Sequence, residues 1–200
     1  MAKKKQIVYP VLFMIAITVI YTAVLAFINE SSSGIIAEQE ALRVKRSILY
    51  VVDLPVSESD TEVDVAFNEN ITEKTYAEQT YYEYRDSDGL KGYAFKFSGT
   101  GLWGTITGYI AFDSEFTKIL GIDFVSHSET PGLGGRIEES WFKEQFRSIS
   151  LSEAQTIILK PADGGNIDGI TGATLTTDSV RKMVNAFVTE TLSFAKEANL

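Results

Sequence analysis

The sequence predicts an α+β protein: a single N-terminal transmembrane helix, then a domain with a mixed or antiparallel sheet and flanking helices. Three observations carry this. An apolar run fills most of the first 30 residues, aromatic residues alternate on either side of an Asp-Gly turn, and an amphipathic helical pattern closes the chain. Strands that come as hairpins, with helices gathered elsewhere, give a segregated α+β arrangement rather than βαβ repeats.

The first element is the run Ile7 to Ile28, 22 residues softened only by Tyr9, Pro10, Thr18, Tyr21 and Thr22. As a helix it spans roughly 33 Å, about the thickness of a bilayer core. Lys3, Lys4 and Lys5 precede it and Asn29 and Glu30 follow. The positive-inside rule then puts the N-terminus in the cytoplasm and everything beyond residue 30 on the other side. The run is long for a signal-peptide core and no small-x-small cleavage site precedes the polar segment, which favours an uncleaved anchor.

Ser31-Ser32-Ser33-Gly34 reads as a flexible joint. Residues 35 to 50 read as a helix with Ile36, Val44, Ile48 and Leu49 on a broken apolar stripe, serving as a stalk or folding onto the domain; Pro55 ends it. The expected division is therefore 1–30 cytoplasmic N-terminus and anchor, 31–55 linker or stalk, and 56–200 the folded domain. Residues 56 to 75 read as short strands and loop. Tyr81, Tyr82 and Tyr84 pair with Tyr93, Phe95 and Phe97 across Asp86-Ser87-Asp88-Gly89 as a hairpin. Ile106 to Phe112 and Ile119 to Val125 are two further strands. Arg136 to Phe146 is a helix with Ile137, Trp141, Phe142 and Phe146 inward. Thr156 to Leu159 is a short strand, and Asp178 to Lys196 a final helix.

Composition narrows the chemistry. The chain has 200 residues, no cysteine and a single histidine, His127, which removes disulfides, thiolate metal sites, iron–sulfur ligation and histidine-rich metal centres. No metal site is expected. Residues 31–200 carry 15 basic and 26 acidic side chains, a net charge of −11 that repels nucleic acid. The Gly-Lys-Ser/Thr of a phosphate loop is absent, no G-x-G-x-x-G stands between a strand and a helix, and no serine has the surroundings of a nucleophile elbow.

Three glycine-rich stretches remain. Asp168-Gly-Ile-Thr171-Gly172-Ala173-Thr174 is followed by Leu175, Thr176 and Thr177 just before the last helix. Free N–H groups and the helix dipole favour an anion at such a point, and Gly172 and Ala173 let the backbone approach a phosphate. Thr171 and Thr176 can donate hydroxyl hydrogen bonds to it. The cap of the following helix is expected at Thr176, Thr177 or Asp178, and the alternative is an ordinary strand-to-helix turn with threonine caps. His127-Ser-Glu129-Thr130-Pro-Gly132-Leu133-Gly134-Gly135 is a tight loop able to lie against a flat ligand, or a plain connection; His127 is assigned no proton-transfer role. Gly99-Thr-Gly-Leu102-Trp103-Gly104 opens a strand, and Leu102 and Trp103 can pack on an aromatic ligand or belong to the core.

In this order the three stretches resemble the FMN-binding domain family, that of the Nqr C subunit and the Rnf G subunit, over roughly residues 80 to 196 plus the anchor. Asp168, Thr171, Gly172, Ala173 and Thr174 match the family's attachment pattern without a gap, and Glu129 to Gly134 matches its flavin-lining loop. The resemblance implies FMN held covalently by a phosphoester to Thr174, with Asp168, Thr171, Gly172, Ala173, Thr176, Glu129, Thr130, Gly132, Leu133, Gly134, Leu102 and Trp103 around it. It implies a separate flavin transferase that uses FAD and a divalent metal, releases AMP and is assisted by Asp168. No catalytic residue beyond the flavin is implied. The chain would be a single-pass subunit of an ion-translocating oxidoreductase, not catalytic alone. It would work among other membrane subunits in NADH:quinone or ferredoxin:NAD electron transport, with the FMN domain on the periplasmic or extracellular face of the plasma membrane.

The length is close to an Rnf G subunit, whereas Gly101-Leu102-Trp103-Gly104 and Gly134-Gly135 look more like the Nqr side. A stand-alone extracytosolic FMN carrier, a flavin-based sensor, and a cofactor-free binding domain in which the threonine motif is only a cap are the alternatives.

Overall fold

Period-two alternation of large and small apolar residues in the central strands gives the sheet two buried faces, and each face gathers its own helices. The structure, a computed structural model, describes residues 2–151 and 156–200. Its contacts divide the chain into two units, Met1–Ala41 and Leu42–Leu200.

The first unit is helical. α1 (Ala2–Val51) runs unbroken, so its last turns belong to the second unit. Among the described residues it is the one helix long and apolar enough to cross a membrane, and Leu12, Ile15, Val19 and Phe27 on it are exposed. The side chains of Lys3, Lys4 and Lys5, on which the expected orientation rests, lie outside those described. The joint expected at Ser31 to Gly34 is helix instead. One glycine costs a helix only about 1 kcal/mol relative to alanine. Ser33 Oγ donates to the Glu30 carbonyl at 2.9 Å, bonding back into the helix rather than interrupting it.

In the second unit β1 (Ile71–Tyr76), β2 (Gln79–Asp86), β3 (Gly89–Thr100), β4 (Thr105–Asp113) and β5 (Ile119–Ser126) form one sheet in the order β1-β2-β3-β4-β5. Every neighbouring pair is antiparallel, as short connections between consecutive strands require. The hairpin expected around Asp86 to Gly89 is β2–β3, with Gly89 at φ +119°.

Tyr93, Phe95, Phe97, Ile110 and Phe112 belong to one core, completed by Val180, Val184 and Val188 of α4 (Thr174–Ala198). Ala94, Tyr109 and Ala111 belong to the other, completed by Ile48, Leu49 and Val51 of α1 and Val63 of α2 (Asp60–Asn70). Ala94 and Ala111 are direct cross-strand partners, and their small side chains let the helix end approach. Gly121 does the same on β5: a Cβ there would lie 2.7 Å from the Val51 carbonyl oxygen. Arg147 closes the junction, donating to the Tyr50 carbonyl at 3.0 Å and the Leu120 carbonyl at 2.8 Å. Burial, then the hydrogen bond to Glu144, holds the Tyr50 hydroxyl above the usual tyrosine range. Residues 42 to 52, read in the sequence as linker or stalk, thus contribute to the core of the sheet unit.

Other elements differ from expectation for identifiable reasons. α2 replaces the strands and loop expected before residue 71. Asp60 and Glu62 in its first turn suit the helix dipole, and Val63 and Phe67 stand one turn apart on its inner face. The helix expected over 136–146 is broken into a 3₁₀ turn at Gly134–Glu138, α3 (Ser140–Lys143) and a second 3₁₀ turn at Glu144–Phe146. Glu139 is extended at the first break, so the helical register is lost. Ile137, Phe142 and Phe146 are buried, but Trp141 is 40% exposed and hydrogen-bonds Glu139 through its indole N–H.

The strand expected at Thr156 to Leu159 reduces to one parallel bridge, Leu159 to Ile167. The amide of Asn185 on α4 satisfies the backbone of this stretch instead, accepting from the Thr156 and Ile157 N–H groups at 2.9 and 2.8 Å. α4 itself starts at Thr174, four residues earlier than expected.

Replacing buried Ile48 by alanine should lower stability by about 2–4 kcal/mol, whereas Ile36→Ala on the exposed part of the same helix should change it by less than about 0.5 kcal/mol. Chemical denaturation of the detergent-solubilised protein measures both. Equal, small losses would show that the end of α1 does not support the sheet.

Candidate functional site

The antiparallel meander brings the β3–β4 turn and the end of β5 to one end of the sheet, since Thr100 pairs with Thr105 and Thr107 with Ser126. The first turn of α4 joins them there, and a single side chain ties the three together. Glu129, only 4% exposed, accepts from the Leu102 and Trp103 backbone N–H groups at 2.8 and 3.1 Å through Oε1. Through Oε2 it accepts from the Thr176 hydroxyl at 2.6 Å. No cation pairs with this carboxylate among the described residues, so these donors carry the compensation for its burial.

The glycines of the loops follow from that clamp. A Cβ on Gly101 would lie 2.5 Å from Glu129 Oε1, and one on Gly134 2.6 Å from Thr176 Oγ1. Gly132 at φ +73° and Gly172 at φ +79° sit in the left-handed region that favours glycine. The loop after β5 is wound on the Thr130 carbonyl, which accepts from the Leu133 and Gly135 N–H groups. His127 has a structural part in it, its Nδ1 accepting from the Glu129 N–H at 3.1 Å.

Thr174 is the first residue of α4 and is exposed, as is Thr171. The helix has Ala173 at its N-cap and no side-chain cap, so neither Thr176, Thr177 nor Asp178 plays that part. Thr177 is buried and braces the preceding turn, accepting from the Ile170 N–H at 3.1 Å and donating to the Ala173 carbonyl at 3.0 Å. Thr176 is buried with its hydroxyl committed to Glu129, so the expected donation to a phosphate is replaced by a structural bond. Asp178 lies below the ordinary aspartate range because Lys182 hydrogen-bonds it, with Arg181 adding to the effect.

A cavity of about 260 Å³ opens beside Thr174, with Thr171, Gly169, Thr177 and Lys160 also on its wall. Exposed apolar side chains stand on the same three segments: Leu102 at 45%, Trp103 at 68%, Leu133 at 43% and Leu175 at 65%. Leu133 reaches the threonine turn, since a Cβ on Gly172 would meet its Cδ2 at 3.1 Å. Large apolar groups left in water beside a hydroxyl, an open helix N-terminus and a lysine suit a ligand with a flat apolar body and an anionic end. FMN fits that description, and the residues present fit FMN.

The structure thus brings Leu102, Trp103, Glu129, Leu133, Gly134, Gly172, Ala173, Thr174 and Thr176 into one region. Asp168 is exposed and adjoins Gly169 of the cavity wall, with its carboxylate 2.9 Å from Lys160 Nζ. Lys160 and Leu175 were not singled out from the sequence. Leu175 carried a readable signal, a large apolar residue off the buried stripe of an amphipathic helix; Lys160 lies outside any motif.

The description FMN-binding domain matches residues 101–189 of the chain. The G subunit of the ion-translocating oxidoreductase complex of Methanosarcina acetivorans is 31% identical over 186 residues, covering 90% of this chain and 92% of that protein. The C subunit of the Na+-translocating NADH-quinone reductase of Yersinia pestis is 36% identical over 100 residues, 46% of this chain and 38% of that one. In three dimensions the chain is similar to the crystal structure of the C subunit of the Na+-translocating NADH-quinone reductase from Parabacteroides distasonis. The TM-score is 0.69 at 25% identity, over 79% of this chain and 94% of that chain.

Glu129→Ala strands two backbone N–H groups and a hydroxyl, and should destabilise the sheet unit by about 3 kcal/mol. Glu129→Gln keeps an acceptor for the two amides and should lose about 1 kcal/mol. Denaturation followed by circular dichroism checks this; equal effects of the two substitutions would contradict the clamp.

Proposed function

Because the chain belongs to the FMN-binding domain family, that of the Nqr C subunit and the Rnf G subunit, we propose that Thr174 carries covalent FMN and that the chain is the membrane-anchored redox subunit of an ion-translocating oxidoreductase. The observation that carries this reading is the exposed Thr174 hydroxyl at the uncapped start of α4, opening on a cavity shared with Lys160. A phosphoester there has the first-turn N–H groups and the positive helix end beside it. Leu102, Trp103, Leu133 and Leu175, already exposed, then offer apolar surface to the ring.

The chain's own residues bind and orient. Gly172 and Ala173 keep the backbone bare beside the attached phosphate, and Glu129 holds the ring-facing turns against α4. Thr176 and Thr177 face inward and fix the helix start, so that Thr174 faces out. Bound flavin supplies the electron chemistry, accepting and passing electrons between neighbouring redox partners.

Attachment is the work of a separate transferase: the Thr174 Oγ–phosphorus bond forms, the pyrophosphate bond of FAD breaks, AMP leaves, and the hydroxyl proton is lost. Residues 1–30 are the anchor with a cytoplasmic N-terminus, residues 31–55 the link, whose C-terminal turns are built into the domain, and residues 56–200 the FMN-binding domain on the periplasmic or extracellular side. A covalent bond suits that side, where a dissociated flavin is diluted without replacement. The other subunits of the complex are its electron-transfer partners, and alone the chain turns over no substrate.

Intact mass of the protein co-expressed with its flavin transferase, beside Thr174→Ala, tests this. The wild type should gain one FMN, on the order of 440 Da, and the variant nothing. An unmodified wild type, with the transferase active on another substrate, would reduce Thr174 to the first residue of a helix.

A further inference from the structure

One charged side chain of the Thr174 cavity belongs to no motif. Lys160 lies eight residues before Asp168, in a turn bonded to the residues that lead into the threonine segment. Its N–H donates to the Ile167 carbonyl at 3.0 Å, Leu159 bridges Ile167, and Asn166 Oδ1 accepts from the Ile158 N–H at 3.0 Å. On the other side the Asp168 N–H donates to Gln145 Oε1 at 2.7 Å. The two backbones are therefore tied to each other through Ile167 and anchored to Gln145, and the Lys160 ammonium meets the Asp168 carboxylate at 2.9 Å. Lys160 also lines the cavity that Thr171 and Thr174 line.

We infer that Lys160 is the anion-holding residue of the Thr174 site, and that Asp168 is a positioning residue acting through it. The inference rests on the flavin-attachment reading above. In the unmodified chain Asp168 holds the ammonium at the cavity's edge. Once a phosphodiester is attached to Thr174, its oxygens offer that ammonium a charge-assisted hydrogen bond.

Both members of the pair are about half exposed, at 49% and 59%, so the pair is weak and shifts or shares its proton donor at little cost. Without Lys160 the incoming phosphate faces the Asp168 carboxylate as a like charge. The other basic groups near the start of α4 are already engaged, Arg181 and Lys182 both on Asp178. Lys160 forms no covalent bond. It holds negative charge on the phosphoryl oxygens while the Thr174 Oγ–phosphorus bond replaces the one to AMP.

The test follows intact mass against time for the full-length protein in detergent, with its flavin transferase, FAD and magnesium ion. Wild type is compared with Lys160→Gln, Lys160→Arg, Asp168→Asn and the Lys160→Gln/Asp168→Asn double variant, with thermal melting of each. Lys160→Gln should be flavinylated about tenfold more slowly at an unchanged melting temperature, and Lys160→Arg within about threefold of wild type. The double variant should be no slower than Lys160→Gln alone, because Asp168 acts through the lysine. Flavinylation of Lys160→Gln at the wild-type rate overturns the inference. So does a double-variant loss equal to the product of the two single losses, or a failure of arginine to restore the rate in a folded protein. A wild type that gains no flavin mass removes the attachment reading itself, an outcome distinct from these.

Discussion

Everything at the functional end of this protein depends on a buried carboxylate with no cation beside it among the described residues. Glu129 is compensated by two backbone N–H groups from the β3–β4 turn and one hydroxyl from α4, groups 26 to 47 residues away along the chain. Removing an ion from water is tolerable only when such donors are in place, so the carboxylate dictates where the turn and the helix must lie. It also dictates what surrounds it. Gly101 and Gly134 are glycines because a Cβ at either would intrude on the clamp. The apolar side chains that flank these points, Leu102, Trp103 and Leu133, are thereby left facing outward rather than joining the core.

The antiparallel meander makes the clamp reachable. Consecutive strands reverse direction, so the turn after β3 and the loop after β5 emerge at the same end of the sheet. The helices divide the two faces between them. One face, built of Phe95, Phe97 and Ile110, receives α4 and with it the site. The other, with Ala94 and Ala111 at its centre, receives the end of α1 and α2. The small residues of that second face let helix backbone come close, and Gly121 lets it come closest.

Thr174 owes its exposure to its neighbours. Ala173, Thr176, Thr177, Val180 and Val184 are buried at helical spacing on one side of α4, which leaves Thr174 off that stripe. The two buried threonines are used up structurally, one on Glu129 and one on the turn before the helix. The exposed threonines at 171 and 174 line one cavity with Lys160.

Much of this was legible from residue order. The apolar run, the β2–β3 hairpin, β4, β5 and the last helix announce themselves through local periodicity, and the threonine motif, the Glu129 loop and the Leu102-Trp103 turn through spacing. The misreadings share a cause. Ser33 bonds back into its helix, and the acidic 60–70 stretch is helical with Val63 buried on one face, features that composition obscures. The 136–146 segment breaks because Glu139 turns extended, and the 156–159 backbone is satisfied by a side chain on α4 rather than by a strand. What the sequence by itself determined is the locally periodic elements and the residues of the three glycine-rich motifs, since hydrophobic period and motif spacing are properties of neighbours along the chain. Which hydroxyl points out, which carboxylate is buried and which lysine meets Asp168 were decided only by the tertiary structure. Those outcomes are set by burial and by partners dozens of residues away, and pairings at that distance leave no local signature.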